Sequence, residues 1–145
     1  MAITTAMCNS FKEELLGGVH DLDTDSIRIA LIKASTSGTY GAATTNYSDV
    51  WVNSDEAVGT NYVAGGNTLS SAVISLDGST AIVDFADTTW SSATVSADGC
   101  IIYNESRLSR AIAVIAFGGV KASTNGDFTI KLPAADASNA IVRIA

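Results

Sequence analysis

The single histidine, His20, stands beside Asp21, and such a pair is where a search for hydrolytic chemistry begins. A Ser-His-Asp centre also needs a nucleophile on a sharp turn, and the G-x-S-x-G signature of that turn is absent. His20 follows Gly17-Gly18 at the end of a helical pattern, where an imidazole is expected to favour the last helical carbonyls. Asp21-Leu22-Asp23-Thr24-Asp25 begins like a calcium loop. Its sixth position is Ser26 rather than glycine and its twelfth is Ile32 rather than glutamate, so a solvated acidic turn is expected. Asp84 and Asp87 could be read as the carboxylate pair of a glycosidase, but they close a strand pattern and read as turn aspartates.

Cys8 and Cys100 have neither C-x-x-C spacing nor partner histidines, which excludes the usual zinc and redox patterns. Gly65-Gly66 and Gly118-Gly119 are too short for a phosphate cradle. No catalytic residue, cofactor or metal is therefore expected, and the chain does not read as an enzyme. Trp51, Trp90, Tyr40, Tyr47 and Tyr62 could stack on sugars; alternatively, Trp90 fills a core and Trp51 pins a loop.

The elements that must position these residues follow from periodicity. An amphipathic helix is expected after an N-cap at Thr4 or Thr5, with Met7, Cys8, Phe11, Leu15 and Leu16 on one stripe and a stop at Gly17-Gly18. Residues 1–18 would form a helical arm on a single domain spanning 1–145. From Ser26 to Lys33 the period switches to two, as in a buried strand. A long loop over 34–60 follows, with a short helical or turn element at Tyr47–Trp51. Leu69–Leu76 and Thr80–Phe85 flank Asp77-Gly78, a hairpin signal. A second hairpin is expected from Trp90–Val95 and Cys100–Tyr103 around a Ser96–Gly99 turn. Further strands are read at Tyr62-Val63, Ala111–Phe117, Phe128–Leu132 and Ala140–Ile144, with a turn at Ser123–Gly126. About nine short strands without helical crossovers predict a mainly β fold: an antiparallel β-sandwich, jelly-roll-like, with one N-terminal amphipathic α-helix.

Composition narrows the function classes. The chain has 145 residues, 47% of them apolar and 16% charged, with a single proline and a net charge of -7. That balance suits a folded domain and opposes disorder. Without a Lys/Arg cluster, direct nucleic-acid binding is disfavoured. The start lacks the basic and apolar regions of a secretory signal, and the longest near-apolar run, Ala111 to Val120, is too short to span a bilayer, so no membrane segment is expected.

Three groups of residues carry a resemblance. They are the opening Ala2-Ile3-Thr4-Thr5-Ala6-Met7-Cys8 with Phe11-Lys12-Glu13-Glu14-Leu15-Leu16; the central Asp84-Phe85-Ala86-Asp87 through Trp90, Ala93-Thr94 and Ile102-Tyr103-Asn104; and the closing Gly126-Asp127-Phe128-Thr129 through Pro133. Over nearly its full length the chain resembles small virion proteins of tailed bacteriophages of the marine and cyanobacterial type. Among these it is most similar to head decoration, or cement, proteins. The resemblance implies a homo-oligomer, dimer or trimer, made in the bacterial cytoplasm, that binds the outer capsid surface and bridges major capsid protein subunits. Phe11, Leu15, Leu16, Trp51 and Tyr62 are the candidate interface anchors, with burial inside the monomer the alternative for each. The alternative is a tail or fibre-associated virion protein that binds host-surface glycans.

Overall fold

In the computed structural model, which describes residues 2–145, the chain folds into two antiparallel sheets with one helix near the N-terminus, a β-sandwich. The larger sheet has the order β1-β7-β6-β2-β3, where β1 is Ala6–Met7, β2 Ile27–Ile32, β3 Asn67–Thr68, β6 Thr88–Asn104 and β7 Arg110–Ile130. The smaller has the order β4-β5-β8, from Val73–Asp77, Thr80–Asp84 and Val142–Ile144. Helix α1 covers Asn9–Leu16, and a single turn, α2, covers Ser48–Trp51 inside the long loop, as the spacing there predicts.

The helix starts later than expected. Ala6 and Met7 are spent on pairing with Val114 and Ala113 of β7, and Cys8, not a threonine, occupies the N-cap without a side-chain cap. Gly17 ends the helix as anticipated, its N–H donating to the Glu13 carbonyl and the Gly18 N–H to that of Leu15. Residues 2–18 are consequently no free arm. Ile3 bridges Tyr40, and Cys8 and Phe11 are fully buried in the core.

The second hairpin also differs. Residues 88–104 run as one seventeen-residue strand through Ser96–Gly99, and residues 110–130 run as one strand through Ser123–Gly126. The two pair along most of their length with register shifts at four places. The connection is instead a 3-10 turn at Glu105–Arg107 followed by Leu108 and Ser109, both in the left-handed region. Gly99 is a close-approach residue rather than a turn residue: a Cβ there would lie 2.6 Å from the Ile115 carbonyl oxygen and 2.8 Å from Ile3. Tyr62-Val63 is not a strand; β3 forms later, at Asn67–Thr68.

Ile29, Leu31, Ile101, Ile112 and Val114 fill the core without solvent exposure. They come from three adjacent strands, and the register puts Ile29 and Leu31 on one face of the sheet and Ile101 and Val114 on the other, so this part of the sheet is buried on both faces. Val83 and Val142 of the smaller sheet, with Phe85 just beyond β5, join the same cluster, so one core holds both layers.

Candidate functional site

The proposed anchors separate on burial. Phe11 is 0% exposed and Tyr62 8%, so both belong to the chain's own core and neither presents a surface to a partner. The helix lies on β7 of its own sheet. Leu15 is half-buried against the core, whereas Leu16 is 93% exposed at the helix end and Trp51 is 53% exposed on α2. Trp90 packs into the core between Tyr62, at 5.5 Å, and Phe128, at 6.1 Å between ring centroids. Tyr40 is buried and Tyr47 half-buried, which dismantles the suggested stacking platform.

The groups capable of chemistry act as internal braces. The His20 side chain is fully buried, with Nε2 2.6 Å from Glu14 Oε2 and Nδ1 3.0 Å from the Asn104 amide nitrogen. The amide must donate to Nδ1, which leaves Nε2 to carry the proton donated to Glu14. His20 therefore binds side chains rather than the last helical carbonyls. The acidic turn is closed by the same network: Asp25 Oδ2 accepts from Asn104 at 2.8 Å and from Arg107 at 3.0 Å. Burial alone would raise the Asp25 carboxyl, but these donors and the Asp21 backbone N–H outweigh it and hold the group at about 2. Among the described residues, no group of three or more His, Cys, Asp or Glu is arranged to hold a metal.

Two further carboxylates, which sequence reading missed, fasten the long loop to the large sheet. Asp55 is fully buried and accepts from Tyr40 Oη at 2.6 Å, Ser37 N at 2.9 Å and Gly38 N at 2.8 Å, with Lys33 Nζ at 3.4 Å. Glu56 accepts from Tyr47 Oη, from Tyr62 Oη at 2.7 Å and from Gly65 N at 2.6 Å. Tyr47 stacks on Tyr103 with centroids 4.5 Å apart, and Tyr103 Oη donates to the Gly65 carbonyl. At Gly66 the backbone has φ +74° and comes so close to β2 that a Cβ would overlap the Ile29 carbonyl. No sequence signal marked Asp-Glu at 55–56 as a clasp, because its partners are scattered over the chain. Both thiols are sheltered: burial first, with Asp49 and Glu14 nearby, pushes Cys8 up to about 11, and burial pushes Cys100 up as well.

With the polar groups turned inward, a groove of about 980 Å³ lies between the outer edge of β7 and the C-terminal segment leading into β8. Its floor is apolar: Met7, Ile115, Phe117, Leu132 and Ile141 line it and are each half-buried against the core. Lys121, Lys131 and Arg143 stand exposed around it against a single acid, Asp127. None of the three cations enters an ion pair among the described residues. The groove exists because β1 pairs β7 only at Ala113 and Val114, leaving the rest of that edge without a neighbouring strand.

A second apolar surface lies on the smaller sheet. Strand β4 is exposed along its whole length, with Val73 54%, Ile74 53% and Leu76 72% accessible. It contains no lysine or proline of the kind that usually protects an edge. Such an arrangement suits the binding of polypeptide. The chain matches no protein-family model, no curated protein and no solved structure.

Proposed function

We propose that the chain is a non-enzymatic structural protein of a tailed-bacteriophage particle, a head decoration protein that sits on the outer capsid surface and bridges major capsid protein subunits. Its phage origin is supported by the sequence resemblance. One structural observation carries the role: His20, Asp25, Asp55 and Glu56 are all spent on bracing a loop or turn, while apolar side chains are left exposed at β4 and half-buried along the β7 groove. A cement protein needs that division, a rigid body whose adhesive parts are backbone edges and apolar patches. Quantitative mass spectrometry of purified virions tests the role. Hundreds of copies per particle are expected, and a dozen or fewer would overturn it.

A second reading, a tail or fibre module that binds host glycans, is favoured by Trp51, whose ring is half exposed on α2 beside exposed Val52. Glycan-array binding that disappears in Trp51→Ala would support it over the first.

A further inference from the structure

The exposed edge strand and the basic groove are complementary in charge as well as in form. No lysine or arginine occurs between Lys33 and Arg107, so the β4–β5 hairpin carries Asp77 and Asp84 with no cation. From Arg107 to the last residue the balance reverses, with five basic residues against Asp127 and Asp136. Three of those five surround the groove.

The groove also has two open strand edges beside it. Among the described residues the outer edge of β7 beyond Val114 has no strand partner, and β8, whose Arg143 lines the groove, is the terminal strand of its sheet. At the opposite side of that small sheet, β4 is the other terminal strand. One molecule thus bears an acidic, apolar strand at one end of a sheet and a basic, apolar groove at the other.

We propose that the groove is occupied by β4 of a second copy of this chain, so that successive copies join head to tail through an intermolecular β-sheet. In this contact Ile74 and Leu76 of one copy lie over the groove floor of the next. Asp84 then approaches cations that form no ion pair among the described residues, as does Asp77, whose Oδ2 also accepts from the Ala137 N–H of its own chain. Because donor and acceptor are different surfaces, the contact is heterologous and builds a closed ring if the rotation closes, or a chain if it does not. A two-fold β4–β4 contact would instead bring like charges together and leave the groove empty. The proposal does not depend on where in a particle the protein acts, and its test is separate from virion copy number.

Sedimentation velocity on three proteins decides it. The native chain is expected to self-associate in low salt and to dissociate as salt rises. A donor variant, Ile74→Lys with Leu76→Lys, and an acceptor variant, Lys121→Glu with Lys131→Glu, change only exposed side chains. Each is expected to be monomeric alone. A one-to-one mixture still holds one intact donor and one intact acceptor, so it should give a heterodimer and nothing larger. A monomeric native chain, an acceptor variant that associates like the native chain, or a mixture that stays monomeric would each overturn the proposal. Concentration-dependent hydrogen exchange on the native chain gives a readout free of substitutions. Amides of β4, β8 and 115–132 should gain protection together as concentration rises, and gain at β4 alone would point to the two-fold contact and overturn the head-to-tail one.

Discussion

Tyr62 Oη donates to Glu56 Oε1 at 2.7 Å and accepts from the backbone N–H of Leu31 at 2.9 Å, so one buried hydroxyl ties the long loop to the second strand of the core. Tyr62→Phe removes this oxygen and leaves the Leu31 N–H and one lone pair of Glu56 without that partner in a buried site. A loss of about 2 kcal/mol in urea unfolding is expected, since an orphaned buried group costs more than an ordinary hydrogen bond is worth. The ring is retained, so packing against Trp90 should survive; near-UV circular dichroism of the variant should match the native spectrum. A change under half a kcal/mol, on the order of that of a surface substitution, would mean that the clasp does not stabilise the fold.

Acid should loosen the molecule through Asp25 and Asp55. For Asp55, burial alone would raise the carboxyl, but Tyr40, the Ser37 and Gly38 N–H groups and Lys33 outweigh it and hold it at about 2. Both carboxyls therefore titrate lower in the folded chain than in the unfolded one, where an aspartate ionises near a pKa of about 3.9. Their contribution is fully present above that unfolded value and is lost as pH falls through about 2. Unfolding midpoints measured at intervals from pH 5 to pH 2 should fall steeply below about pH 4. Asp55→Asn should flatten that slope, while lowering stability at neutral pH.

How legible these features were in sequence depended on how local their causes are. The Asp77-Gly78 signal located the β4–β5 hairpin, although the two loop residues are Gly78 and Ser79, because Asp77 still pairs with Thr80. The period-two pattern of residues 26–33 likewise located β2, which is buried on both faces over most of its length. Small polar runs misled where a bulge and a turn share one composition. Ser96–Gly99 and Ser123–Gly126 look like turns but are irregular stretches inside long paired strands. Phe11 looked available because a helix shows its stripe in sequence without showing what covers it. Glu56 drew no attention because its donors, Tyr47, Tyr62 and Gly65, become neighbours only after the loop folds back. The β7 groove depends on a strand that stops pairing after two residues, which no periodicity reports.

The β6–β7 turn stores backbone strain at a residue with little packing to offset it. Leu108 has φ 57° and is 81% exposed, and Ser109 follows at φ 59°. Placing a side chain in the left-handed region costs roughly 1–2 kcal/mol that glycine avoids. Leu108→Gly also gains unfolded-state freedom, which offsets part of that benefit. A net gain of about half a kcal/mol in thermal or urea unfolding is expected, with the turn geometry preserved. Destabilisation by more than about 1 kcal/mol would show that the leucine makes a contact its exposure conceals.

Helix α1 separates a packing role from a surface role within six residues. Phe11 is completely buried and meets His20 edge-on at 4.9 Å, whereas Leu16 at the helix end is 93% exposed. Phe11→Ala should cost about 3–5 kcal/mol, the usual price of emptying an aromatic site in a close-packed core. It should also release His20 from its brace, visible as faster hydrogen exchange at residues 18–25. Leu16→Ala should change stability by less than about half a kcal/mol. Deletion of residues 2–18 removes Cys8, Phe11 and the β1 pairing together, so it should abolish cooperative unfolding rather than yield a folded body lacking an arm. A truncated protein that kept a sharp thermal transition and native-like dispersion in its NMR spectrum would place the helix outside the folding unit, contrary to the burial of Phe11.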